Sequence, residues 1–130
     1  MRGLALILAG LTAVATLGAV AEGPAFHFPQ VKKYGGIARV PNAVEPPRHG
    51  AKIIFDITAD SKPEEVNKGI ETVARYLNLN AEAGHKPSDV KLALVLHGSA
   101  TKAALGDKAY AKHTAATKNP NLELIQELKA

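Results

Sequence analysis

The chain predicts a small α/β domain in which neighbouring strands run parallel, and three observations carry that expectation. Two short apolar runs, Lys52–Thr58 and Val90–His97, are β-branched or leucine-rich and the length of a strand buried on both faces. Between them Val66, Ile70, Val73 and Leu77 recur at spacings of four, three and four, which sets them on one helical face. The resulting strand–helix–strand order makes a right-handed crossover, and a crossover of that hand joins parallel strands.

The elements follow in order. Leu4–Leu17 is an apolar stretch behind Arg2, and Ala19-Val20-Ala21 gives the small-x-small pattern cut by signal peptidase. Residues 1–21 therefore read as a secretory signal peptide, with Glu22 first in the mature chain and a periplasmic or secreted location. An uncleaved membrane anchor is the competing reading. Gly10 and Gly18 interrupt the apolar stretch and no basic cluster follows it, so cleavage is the expectation, with no membrane span left afterwards.

Residues 22–50 hold five of the eight prolines. Proline fixes φ and removes a backbone donor, so this is an irregular arm. Its apolar residues, among them Phe26, Phe28, Val31, Tyr34 and Ile37, place it across the domain or a neighbouring subunit. The α/β domain proper occupies residues 51–130. After the first strand, Ser61-Lys62-Pro63-Glu64 has capping-box spacing, which predicts the helix start there. Gly84 and Pro87 close that helix region. Gly98 turns the chain sharply after the second strand, Ser99–Leu105 and Asp107–His113 read as short helical segments, and Asn119-Pro120 opens a last helix carrying Leu122, Leu124, Ile125 and Leu128. Two parallel strands are few for these helices. The expectation is a fold whose remaining strands lie in a continuation of the reading frame or in other subunits.

Composition excludes several functions. The formal charge is +4, or +3 without Arg2, and the lysines alternate with Asp and Glu, which describes a solvated surface and not a nucleic-acid-binding face. There is no cysteine among the 130 residues. That removes disulfides, thiolate metal ligands and thiol nucleophiles. His27, His49, His85 and His113 lack metal-ligand spacing, and no phosphate loop or nucleophile elbow occurs, so no cofactor, no metal and no catalytic residue is assigned.

The runs Lys52-Ile-Ile-Phe-Asp-Ile-Thr, Pro63-Glu-Glu-Val-Asn-Lys-Gly-Ile and Val90-Lys-Leu-Ala-Leu-Val-Leu-His-Gly, followed by Tyr110-Ala-Lys-His and Asn119-Pro-Asn-Leu-Glu-Leu-Ile, resemble the first half of an exported DsrE/DsrF-like protein. The resemblance covers about Ala51 to Ala130. It implies a three-layer α/β/α fold around a mostly parallel sheet of flavodoxin-like strand order, a homo-oligomer (trimer or hexamer), and a link to sulfur handling or small-ligand binding. Sulfur-relay members carry persulfide on a cysteine after the third strand. No such residue is present here.

Candidate binding residues fall where the strands end. In open α/β sheets, ligands bind at the carboxyl ends of the strands. His97, Gly98 and Ser99 end the second strand and Asp56 lies near the end of the first. Gly98 permits close backbone approach, and the amides of Ser99, Ala100 and Thr101 are expected to favour a small anionic or sulfur ligand. Asp56 would orient His97 or bind a cation. The competing reading is a histidine that fills a turn. Lys102 reads as a solvated lysine. For the whole chain, the alternative to ligand binding is a non-catalytic oligomeric binding or assembly module.

Overall fold

A computed structural model describes residue 23 and residues 25–129. The signal-peptide reading of residues 1–21 lies outside them.

Strand β1, Lys52–Ile57, and strand β2, Lys91–Leu96, pair in parallel with Lys52 opposite Lys91 and Ile57 opposite Leu96. Helix α1, Lys68–Glu82, makes the crossover between them. A 3-10 segment at Gly98–Ala104, helix α2 at Asp107–His113 and helix α3 at Leu122–Glu127 follow. The α/β class and the parallel pairing are as the sequence predicts.

Among the described residues the strands are covered on one face only, which differs from the expectation of burial on both. Side chains alternate between the faces of a strand. Ile53, Phe55 and Ile57 of β1, with Leu92, Leu94 and Leu96 of β2, turn toward the helices, whereas Ile54, Asp56, Ala93 and Val95 are exposed. Ile54 is 72% exposed and Val95 45%. Among the described residues, the helices and the sheet therefore make two layers around a two-stranded sheet.

The core gathers on the covered face, where Ile57, Ile70, Ala74, Leu77, Ala100, Ala103 and Leu124 are buried together. Burying each large aliphatic side chain contributes roughly 1.5–3 kcal/mol. The arm joins this core through buried Val31 and part-buried Tyr34. It lies across its own domain, held by Asn78 of α1. Gly35 has φ +61, and a Cβ there would fall 2.2 Å from the Arg75 backbone nitrogen, so the arm touches the α1 backbone at that point. Glycine alone fits.

Helix α1 begins at Lys68, later than the Ser61–Glu64 spacing predicts. Ser61 Oγ instead donates to Glu65 O, closing a turn that precedes the helix. The cap is Asn67, whose Oδ1 accepts from the amides of Gly69 and Ile70. Tertiary contacts select Asn67 over Ser61. Its own amide donates to Asn121 Oδ1 at 2.7 Å, its Nδ2 donates to Ala59 O at 2.8 Å, and Gly69 lies against Ile57 with no room for a Cβ. At the other end, α1 stops at Glu82 and Gly84, with φ +83, turns the chain away.

The last helix also starts late, at Leu122. Asn119 turns inward: its Nδ2 donates to Ala103 O and Leu105 O, and its Oδ1 accepts from the amide and side chain of Asn121. Asn67, Asn119 and Asn121 thus link the starts of α1 and α3 to the end of the 3-10 segment. Every buried polar residue in the described chain is an asparagine, and no buried side-chain polar atom lacks a partner.

Candidate functional site

The crossover brings the C-terminal ends of β1 and β2 side by side, and with them Asp56 and His97. In the parallel register Asp56 faces Val95, so His97, two residues further on, is its diagonal neighbour on the open face. His97 Nε2 and Asp56 Oδ1 are in hydrogen-bond contact, with the two side chains 53% and 61% exposed. A carboxylate on Nε2 leaves Nδ1 directed away from it, which gives the imidazole a defined orientation.

Behind the pair, Gly98 has φ +59, which permits the sharp turn. A Cβ at Gly98 would meet only Thr58 O, at 3.5 Å, so the glycine answers to backbone conformation and not to crowding. The Ser99 Oγ donates to Thr58 O at 3.0 Å and ties the 3-10 segment to the end of β1. Of the amides expected to face a ligand, that of Ala100 is engaged with Thr58 O and His97 O. Lys102 is ion-paired with Asp60 and half-buried, where a solvated lysine was expected.

Beside Asp56 a cleft of 570 Å3 opens between the end of β1 and the start of α1. Asp56 lines it and His97 does not; Thr58, Asp60, Lys62, Glu65, Asn67 and Lys68 complete its polar wall. Its charges are largely matched. Asp56 contacts His97, Asp60 contacts Lys102, and Glu65 Oε1 accepts from Lys62 Nζ at 3.0 Å. Among the described residues, Lys68 has no carboxylate within ion-pair distance. It stands on the first turn of α1, where the helix dipole presents its positive end. The unmatched positive charge at this edge therefore lies at the α1 start, away from Ser99–Thr101.

Tyr110 of α2 closes the region from below. Its hydroxyl donates to Pro63 O at 3.1 Å, and burial first, then the nearby charge of Asp60, raises its pKa above the ordinary 10.0. It is a neutral strut that holds the loop before α1.

The sequence singles out Asp56, His97, Gly98 and Ser99 as candidates, and the structure brings all four to one edge. Lys68 and Asn67 are missed because the local pattern puts the helix start at Ser61. Among the described residues no group of three His, Asp or Glu side chains could hold a metal ion, and no helix is long and apolar enough to cross a membrane. Compared with known proteins, the chain matches no family model, no curated protein and no solved structure.

Proposed function

We propose that this chain is an exported, DsrE-like binding protein that takes a small anion, of the sulfur oxyanion or related class, at the end of β1. The carrying observation is the cleft between β1 and α1, in which Asp60 and Glu65 are ion-paired with Lys102 and Lys62, Asp56 is hydrogen-bonded to His97, and Lys68 is left without a carboxylate partner at a helix start. A small anion there gains the Lys68 charge and the α1 dipole, with the Asp56 carboxylate hydrogen-bonded to His97. His97 acts at one remove by hydrogen-bonding the Asp56 carboxylate. With no cysteine in the chain, the reading is of binding and not of covalent sulfur carriage.

Calorimetric titration with thiosulfate and with phosphate tests the proposal. Saturable binding that Lys68→Gln weakens at least tenfold, and His97→Ala weakens less, supports it. Absence of binding by both anions, or equal affinity in Lys68→Gln and wild type, overturns it.

A second reading, an oligomeric assembly module, is favoured by the open sheet face with Ile54 and Val95 exposed. Light scattering coupled to size exclusion decides it. A multimer that Ile54→Lys converts to monomer supports assembly through that face, and a wild-type monomer removes the reading.

A further inference from the structure

A second cavity lies at the other end of β1, away from Asp56. It measures 750 Å3 and opens between the arm and the domain, walled by Ile37, Val40 and Pro41 of the arm, Ile53 of β1, and Tyr76 and Leu79 of α1. Small-molecule sites are concave, mostly apolar and roughly 300–1,000 Å3 in volume. This cavity has those properties.

The arm wall is anchored on α1. The arm enters through the His27–Ile37 bridge and is fastened to α1 by Asn78. Pro41, Pro46 and Pro47 have no backbone N–H and so offer no ladder donor to the edge of β1 at these positions. Val40 remains 67% exposed and Leu79 40%, an apolar surface that faces water in the free chain.

The polar groups of the wall set the ligand's character. Arg39 Nε donates to Glu82 Oε1 at 2.7 Å, and the other Glu82 oxygen contacts His27 Nε2 at 2.8 Å. That carboxylate is therefore already satisfied from within the chain. Of the other charged lining residues, Glu45 and Arg48 have opposite signs and are both exposed on the arm. The cavity thus offers apolar contact and no unbalanced charge. The walls come from the arm, β1 and α1 on different sides, so the space has the concavity of a small-molecule site.

We propose that this cavity binds an uncharged apolar small molecule, with an aromatic or alkyl body, held between Val40 of the arm and Leu79 of α1. The site is independent of the anion cleft, which opens at the opposite end of the strand.

The test is titration of the full chain with N-phenyl-1-naphthylamine, a neutral probe whose fluorescence rises in apolar surroundings, beside its sulfonated analogue. The expected result is saturable binding of one neutral probe per chain, with the sulfonate at least tenfold weaker. Leu79→Asp and Val40→Asp, from opposite walls, should each weaken the neutral probe at least tenfold. Both positions are part-exposed, so the two variants guard against a misfolded result from either, and retained circular dichroism qualifies each. Ile54→Asp, on the open sheet face, should leave neutral-probe affinity unchanged. No saturable binding, equal affinity for the sulfonate, or equal loss in Ile54→Asp overturns the proposal. A wild-type dimer that Leu79→Asp dissociates also overturns it, because the occupant is then a second copy of the chain.

Discussion

Replacing Asn78 with leucine should loosen the arm and much of the domain with it. Asn78 is fully buried on α1. Its Oδ1 accepts from the amides of Gln30, at 2.9 Å, and Val31, at 2.8 Å, and its Nδ2 donates toward the carbonyls of Tyr34, Gly35 and Val31. Leucine fills a similar space and removes all of these partners. Each buried group left unpaired costs roughly 1–3 kcal/mol, so the two orphaned amides alone account for roughly 2–6 kcal/mol. A domain of this size has about 5–15 kcal/mol in total. In urea, where unfolding free energy falls by roughly 1–3 kcal/mol per molar, the midpoint should drop by about 1–3 M. Amide exchange at Gln30 and Val31 should accelerate in parallel. A midpoint within about 0.3 M of wild type, where 0.3 M is below roughly 1 kcal/mol on the same slope, would refute the idea that Asn78 fastens the arm.

Three further outcomes follow from the same geometry. Gly35→Ala places a Cβ 2.2 Å from the Arg75 nitrogen at a φ of +61, and should lower the melting temperature by several degrees, measured by calorimetry. Asn67→Ala removes the α1 cap and should destabilise by about 1–2 kcal/mol in urea unfolding, whereas Ser61→Ala, outside the helix, should cost less than half as much. Glu82 has its pKa lowered, first by the hydrogen bond from His27 and then by Arg39. A lowered carboxylate stabilises the fold above its ordinary value of 4.5 and loses that contribution as pH falls through the lower folded value. Exchange protection of the arm amides near His27 and Ile37 should therefore fall in acid, and Glu82→Gln should remove that acid-side dependence.

The sequence made some of this legible because the relevant signals are local. Hydrophobic periodicity placed both strands and the face of α1, and the crossover rule then set them parallel, which was enough to bring Asp56 and His97 to one edge. Helix starts were harder. Ser61 carries every local mark of a cap, yet Asn67 caps the helix because Asn121, 54 residues away in sequence, receives its amide. No local pattern reports such a partner. Burial was misjudged for a similar reason. Ile54 and Val95 are as apolar as their neighbours, and nothing in a run such as Ile53-Ile54-Phe55 says that only alternate residues are covered. A signal for the arm's anchor did exist in Leu77-Asn78-Leu79-Asn80, since asparagine is a poor choice inside a helix unless its amide has work outside it.

The five interior asparagines have one more effect. A carboxamide neither gains nor loses a proton under ordinary conditions, so the joints between arm, α1, α3 and the 3-10 segment keep the same charge in acid as in mild base. One tie that does depend on a carboxylate charge, Glu82 with His27 and Arg39, fastens the arm from outside. Loss of the Glu82 charge in acid can thus loosen the rim of the arm cavity, while the carboxamide joints beneath it keep the same charge.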